Sequence, residues 1–423
     1  MPQSKNLDWV QLLRGVAALL VVMTHGRYAL QGSPAYPLAD QLLRHGGLGV
    51  DLFFIISGFI MCYSTAGSAG GGAEAARFLI KRLARVWPVY AVIIVLSVFV
   101  LYGGSGYFHS ALNRMTFWHT LGMVPADPRA APYFALTLPV AWTLAFEMYF
   151  YLLYAVSLLF KRWRWLVLGA WVLATVIVLP QARGAAGLDV GRDLGYRLGY
   201  MAIVSNPYVL EFVAGAAIGW LYLRDWTRLR STVVAWHVLG MGAMFALWAI
   251  YGGVADAPGP AGYGWPLALM VLCMALATKT VRVAVPPLFL WLGSISYSLY
   301  LTHLLSQSLF GDTLARAGIA PLAQSWPSLF MSTALSLTLA ALSHRYLEQG
   351  LASWCRDWLL KLVPGRATPV AAPAAPPEKL ARRGRVSWAS RPAGRPAFAW
   401  AWRWRRPGWR LAPAQPTWLA RTA

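Results

Sequence analysis

The sequence predicts an all-α integral membrane protein of about ten transmembrane helices, N-in and C-in, followed by a disordered basic C-terminal tail. Three observations carry that expectation. Of the 423 residues, 58% are hydrophobic and 12% charged, about half the charge of an ordinary soluble domain. Apolar runs long enough to span a bilayer, about 20 residues each, recur from residue 9 to residue 347 and leave no room for a separate soluble domain before the tail. The basic residues gather in the short breaks between those runs and after residue 348.

In chain order the candidate spans are 9–30, 47–65, 87–104, 138–160, 164–183, 199–223, 232–253, 263–279, 286–309 and 325–347. An even number puts both termini on one side. With the N-terminus in the cytoplasm, that side receives Lys5, Arg77, Lys81, Arg82, Arg85, Lys161, Arg162, Arg164, Arg224, Arg228, Arg230, Lys279 and Arg282 before the tail. The opposite side receives Arg27, Arg44, Arg114, Arg129, Arg183, Arg192, Arg197 and Arg316, in longer loops. Positive charge is retained on the cytoplasmic side, so this asymmetry predicts N-in and C-in. The first run carries Asp8 and Arg14 and lacks a small-residue cleavage site, which reads as a retained helix. The stretch 105–137, with Trp118, Pro125, Pro128 and Pro132, is long for a connector and is expected to dip back into the membrane.

The domain organisation that follows is a membrane domain over 1–348 and a cytoplasmic tail over 349–423. The tail is rich in Ala, Pro, Arg and Trp, a composition that cannot build a core. Trp400, Trp402, Trp404 and Trp409, with Arg403, Arg405 and Arg406, also suit the anionic inner leaflet. The net charge of +22 does not imply nucleic acid, because 14 of the 37 Lys and Arg lie after residue 348 and most of the rest in loops. Cys62, Cys273 and Cys355 are too scattered for a disulfide framework or a metal site, and no metal is expected.

An ionisable side chain within a span costs about 2.5–3.5 kcal/mol on insertion scales, which makes each one a candidate for function. The first span holds Arg14 and His25. Their eleven-residue separation returns a helix to nearly the same face and sets them about 16 Å apart along its axis. Asp51 opens the second span and Glu147 lies within the fourth, about 13 Å below its outer end. Arg82 and Arg85 precede Pro88 at the inner surface, where the charge rule alone would also place them. His303, in a helix rich in Ser and Tyr, suits interhelical hydrogen bonding. His25 and Glu147, titratable groups expected at similar depth on different helices, point to one shared polar pocket.

These residues sit in motifs that resemble those of the acyltransferase family 3 membrane proteins. RGVAALLVVMTH resembles the family's Arg, ten residues, His signature. GVDLFFIISGFIM, KRLARVWPVY, WTLAFEMYFYLL and GSISYSLYLTH resemble its later motifs in the same order, from about residue 7 to residue 348. Thr143 stands where Ser is commoner. The second and fourth spans look most like the exopolysaccharide-modifying branch.

The resemblance implies O-acylation of a carbohydrate hydroxyl by a cytoplasmic acyl-CoA, acetyl-CoA above all, at the bacterial inner membrane. Its partners would be acyl-CoA, a carbohydrate acceptor and membrane lipid, with no nucleic acid and no tightly bound cofactor. A sugar hydroxyl is too weak an acid to attack a thioester unaided, so a base must take its proton. His25 is expected in that role, with Glu147 and Asp51 as catalytic partners, Glu147 orienting the ring or stabilising the imidazolium, and Arg14, Arg82 and Arg85 on the donor. A covalent acyl-histidine stays open. The same intramembrane His, Arg and Glu would also serve a proton-coupled carbohydrate exporter. The absence of repeated halves and the ordered motifs count against that alternative.

Overall fold

The computed structural model describes residues 7–319, 322 and 324–363, and among them it contains helices and connecting chain but no strand. Residues 364–423, with the expected tryptophan and arginine contacts at the inner leaflet, lie outside the described residues. Among the described residues, nine helical runs are long and apolar enough to cross a membrane: Asp8–Leu30, Tyr36–Ser64, Gly72–Leu101, Pro139–Leu159, Lys161–Ala182, Thr232–Tyr251, Pro260–Ala277, Pro287–Arg316 and Trp326–Leu360. Val209–Tyr222 is a shorter apolar helix.

The α-helices, in order, are α1 (Asp8–Gly26), α2 (Tyr36–Leu43), α3 (Leu48–Ser64), α4 (Gly72–Leu101), α5 (Ala111–Leu121), α6 (Trp142–Leu159), α7 (Arg164–Val172), α8 (Leu179–Ala182), α9 (Gly199–Val204), α10 (Val209–Tyr222), α11 (Thr232–Tyr251), α12 (Trp265–Ala277), α13 (Pro287–Arg316), α14 (Trp326–Ser343) and α15 (Ser353–Leu360). Sequence explains several of their ends. Ser325 caps α14, its Oγ accepting from the backbone N–H of Ser328, and Pro327 occupies the first turn where no intrahelical donor is needed.

The expected and observed spans differ most at four places. The sixth candidate, 199–223, is two helices, because Asn206 and Pro207 interrupt it. Pro207 supplies no N–H, while the Asn206 side chain accepts from the Tyr208 N–H at 3.1 Å and donates to the Val190 carbonyl at 2.8 Å. The third starts fifteen residues earlier than expected, since α4 runs from Gly72 through Pro88 without a break. In the second, α2 and a short 3-10 turn precede α3. The last passes through Glu348 in a π-helical segment, His344–Ala352, and ends at Leu360.

Small residues let the central helices approach closely. A Cβ on Gly58 would strike the carbonyl of Phe212, and one on Gly215 the carbonyl of Ile55, so α3 and α10 cross nearly backbone to backbone. Gly49 meets Ala17, and Gly293 meets Gln11, in the same way. Those contacts draw α3 and α13 onto α1, which makes the helix bearing Arg14 and His25 central. Phe54, Phe146, Phe150, Tyr208 and Phe212 fill the core beside it. The long stretch 105–137 packs back on α4 and α6. Tyr107 and Thr137 share a hydroxyl hydrogen bond at 3.0 Å, the Thr137 N–H donates to Thr120 Oγ1 at 2.9 Å, and Phe134 and Leu138 are buried.

Candidate active site: an arginine-lined cavity and a histidine pair

Helices α1, α3, α4, α6 and α13 line a cavity, partly open to solvent, with about 740 Å³ of space not filled by atoms, its open mouth included. Arg14, Arg82, Arg85 and Glu147 all line it, with Ser57, Thr143, Tyr151, Tyr297 and Tyr300. Four residues from three helices, chosen in the sequence for two different roles, thus share one wall. The expectation that Glu147 lies level with His25 and orients its ring is corrected here. Glu147 Oε1 accepts from Ser57 Oγ at 3.1 Å and from the Tyr151 hydroxyl, and Tyr151 in turn has the Arg82 guanidinium 5.6 Å from its ring centroid.

The arginines have few protein partners. Arg82 donates to Ser64 Oγ at 3.2 Å, and Arg14 reaches Gln11 Oε1 only at 3.5 Å. Among the described residues, no carboxylate lies within 4.0 Å of Arg14, Arg82 or Arg85. Glu348, the nearby acid on the π segment, is occupied by Ser298 Oγ at 2.5 Å and His344 Nδ1 at 3.2 Å. Three guanidinium groups facing a single carboxylate leave the cavity with an excess of positive charge. Arg14 and Arg82 are half-buried and Arg85 is exposed, so water screens part of that charge, and the unbalanced remainder suits a ligand that brings several negative charges with it.

His25 lies farther along α1, outside the cavity lining. Its Nδ1 is 2.8 Å from the carbonyl of Val21, and its ring centroid is 5.0 Å from that of His303. Next to it, Arg27 is taken up by Asp40, Nε to Oδ1 at 3.0 Å, and by Thr24. His303 is fully buried, its Nδ1 lies 2.7 Å from the carbonyl of Tyr300, and its Nε2 has no partner among the described residues. Tyr300 connects the two regions, lining the cavity with its ring centroid 5.9 Å from that of His303. Its hydroxyl donates to the Val140 carbonyl at 3.1 Å and accepts from Thr143 Oγ1 at 2.9 Å. The hydroxyl kept at position 143 therefore holds the partition between cavity and histidines.

Asp51 belongs to neither region. It lies outside the cavity lining, where the Gly259 N–H donates to Oδ1 at 2.6 Å, while Asp51 Oδ2 and both carboxylate oxygens of Glu211 on α10 have no hydrogen-bond partner among the described residues. Both carboxyl groups are buried, at 1% and 2% exposure. The sequence reading passed over Glu211, although an acid inside an apolar run is the same signal that singled out Glu147. Among the described residues, no group of three or more His, Cys, Asp or Glu converges as a metal site.

Comparison with known proteins adds the chemistry. The profile of acyltransferase family 3, described as an acyltransferase domain, matches residues 7–345. The exopolysaccharide production protein ExoZ of Rhizobium meliloti (strain 1021) is 31% identical over 306 residues, covering 70% of this chain and 86% of its own length. Nodulation protein 10 of Rhizobium leguminosarum bv. viciae is 27% identical over 260 residues, 55% of this chain and 68% of its own. No solved structure matches the chain.

Proposed function

The chain belongs to acyltransferase family 3 and is a membrane O-acyltransferase, and we propose that it moves an acetyl group from acyl-CoA to a hydroxyl of a cell-envelope or secreted carbohydrate. The observation that carries the donor is the cavity in which Arg14, Arg82 and Arg85 lack counter-carboxylates among the described residues. Planar guanidinium groups bind phosphate oxygens in pairs, and CoA brings several phosphate charges to offset the excess. The acceptor class is supported by likeness to a protein named for exopolysaccharide production.

His25 is the general base. A carbonyl oxygen only accepts, so the bond to Val21 keeps the neutral ring's proton on Nδ1 and leaves the Nε2 lone pair free. As the sugar oxygen bonds to the thioester carbon, its proton passes to Nε2. The C–S bond then breaks and CoA leaves as the thiolate, which takes up that proton from His25 and returns the ring to its neutral state. Arg14 stands about 16 Å along α1 from His25, so the phosphates bind at the arginines and the pantetheine arm reaches past Tyr300 toward the histidine. Glu147 balances part of the arginine charge and fixes Tyr151. Asp51 supports the site from a distance by holding α3 against the 259–264 segment. The excess of basic residues in alternate loops supports a cytoplasmic donor side, both termini inside, in the bacterial inner membrane.

The test is release of free CoA, with matching ester on the glycan, when the purified protein in proteoliposomes receives acetyl-CoA and isolated surface polysaccharide. A carbohydrate exporter would release no CoA. Absence of release across envelope glycans would overturn the proposal.

A further inference from the structure

Protonating His25 creates a cation that the described residues do little to balance. No carboxylate contacts its ring: Glu147 is bonded to Ser57 and Tyr151, Asp51 is held by the Gly259 N–H, and Asp40 is paired with Arg27. The one group on Nδ1 is the neutral carbonyl of Val21. Beside it stands a second imidazole, 5.0 Å away between centroids, with no exposure and an Nε2 that no described residue satisfies. The Tyr300 carbonyl fixes its tautomer by the same logic that fixes His25, so the neutral His303 ring also carries its proton on Nδ1 and a bare lone pair on Nε2. A buried acceptor without a donor is costly and invites a proton-bearing group.

We propose that His303 is a positioning residue for the transfer, sharing through its Nε2 the proton that His25 takes from the acceptor hydroxyl. This inference rests on the acyl-transfer reading above. At the start the hydroxyl O–H lies against both lone pairs. The proton moves to His25 Nε2 while the sugar oxygen forms its bond to the acyl carbon and the C–S electron pair leaves with sulfur. As that oxygen becomes an ester oxygen it loses its basicity, and the new N–H turns its hydrogen bond to His303 Nε2, the adjacent stronger acceptor. The proton stays between the rings until it is delivered to the departing thiolate. His303 neither gains nor loses a proton over the cycle, and no further reactant is needed. Two neutral rings that both keep their proton on Nδ1 offer each other no donor at Nε2, which accords with the 5.0 Å centroid spacing and the absence of a hydrogen bond between them.

The test compares wild type with His303→Leu, His303→Gln and His303→Asn in proteoliposomes at varied acetyl-CoA. Leu removes the acceptor and should lower kcat about tenfold or more, the effect of losing one charge-assisted hydrogen bond, with the acetyl-CoA KM within twofold. Gln presents an amide oxygen near the position of Nε2 and should recover several-fold over Leu. Asn reaches only the position of Nδ1 and should not. If the Leu variant does not accumulate in the membrane, the Gln and Asn pair decides. Wild-type kcat in His303→Leu, or equal activity of the Gln and Asn variants, overturns the inference while leaving acyl transfer intact. A wild-type protein that releases no CoA would instead remove the acyl-transfer reading itself.

Discussion

Arg85 offers the cleanest probe of the donor site, because no hydrogen bond or ion pair to another described residue would be lost with its side chain. Arg85→Ala should leave the protein as stable as before and raise the KM for acetyl-CoA. A guanidinium–phosphate contact contributes about 1.5–3 kcal/mol, and at 1.36 kcal/mol per decade that is about 10- to 150-fold. Arg85 is exposed at the edge of the cavity, where water and salt screen it, so the lower end, about tenfold, is expected. The change should fall on KM with kcat nearly constant, the pattern of lost uniform binding. Acetyl-pantetheine, which carries the same thioester without the nucleotide phosphates, supplies the control. With that donor wild type and variant should have equal KM. Initial rates of thiol release in proteoliposomes measure both. Unchanged KM for acetyl-CoA, or equal losses on the two donors, would refute phosphate binding by Arg85.

Two further outcomes follow from the packing and charge of the same region. Glu147→Gln keeps an oxygen for Ser57 and Tyr151 while removing the carboxylate that offsets the arginine charge, so the melting temperature should hold and the acetyl-CoA KM should fall with kcat nearly constant; thermal melts and initial rates check the two halves. Gly215→Val places side-chain atoms against the Ile55 carbonyl at the α3–α10 crossing and should destabilise the protein by about 1–3 kcal/mol or more, read as a lower melting temperature in detergent for the inserted fraction.

Much of this arrangement was legible in the sequence because membranes penalise charge. Arg14 and His25 stood out as polar groups in an apolar helix, and their spacing placed them on one face, as α1 does. Arg82 and Arg85 obey the charge rule as well, so only the convergence of α1, α4 and α6 on one cavity distinguishes them from ordinary loop cations. The separation of Glu147 from His25 could not be read from the sequence, because a count of residues from a span end does not say which neighbouring side chains a carboxylate meets, here Ser57 and Tyr151. Asp51 illustrates a second limit: its position at the head of α3 was evident, but which side of α3 it faces depends on the Gly58–Phe212 and Gly215–Ile55 contacts with α10, and those bring Glu211 to it. The broken sixth span was written in Asn206–Pro207, a local signal that the surrounding apolar residues obscured. His303 stood out as a polar group suited to interhelical hydrogen bonding, whereas its pairing with His25 depends on the close packing of α1 and α13 through Gly15 and Gly293.

The central claim, acyl transfer with His25 as the base, is tested most directly by His25→Ala in the proteoliposome assay, with acetyl-CoA and isolated polysaccharide and with membrane levels measured in parallel. One imidazole contributes little to a packed helical membrane domain, so the account predicts normal accumulation with loss of both CoA release and glycan ester. A variant present at normal levels that still esterifies the glycan would contradict it.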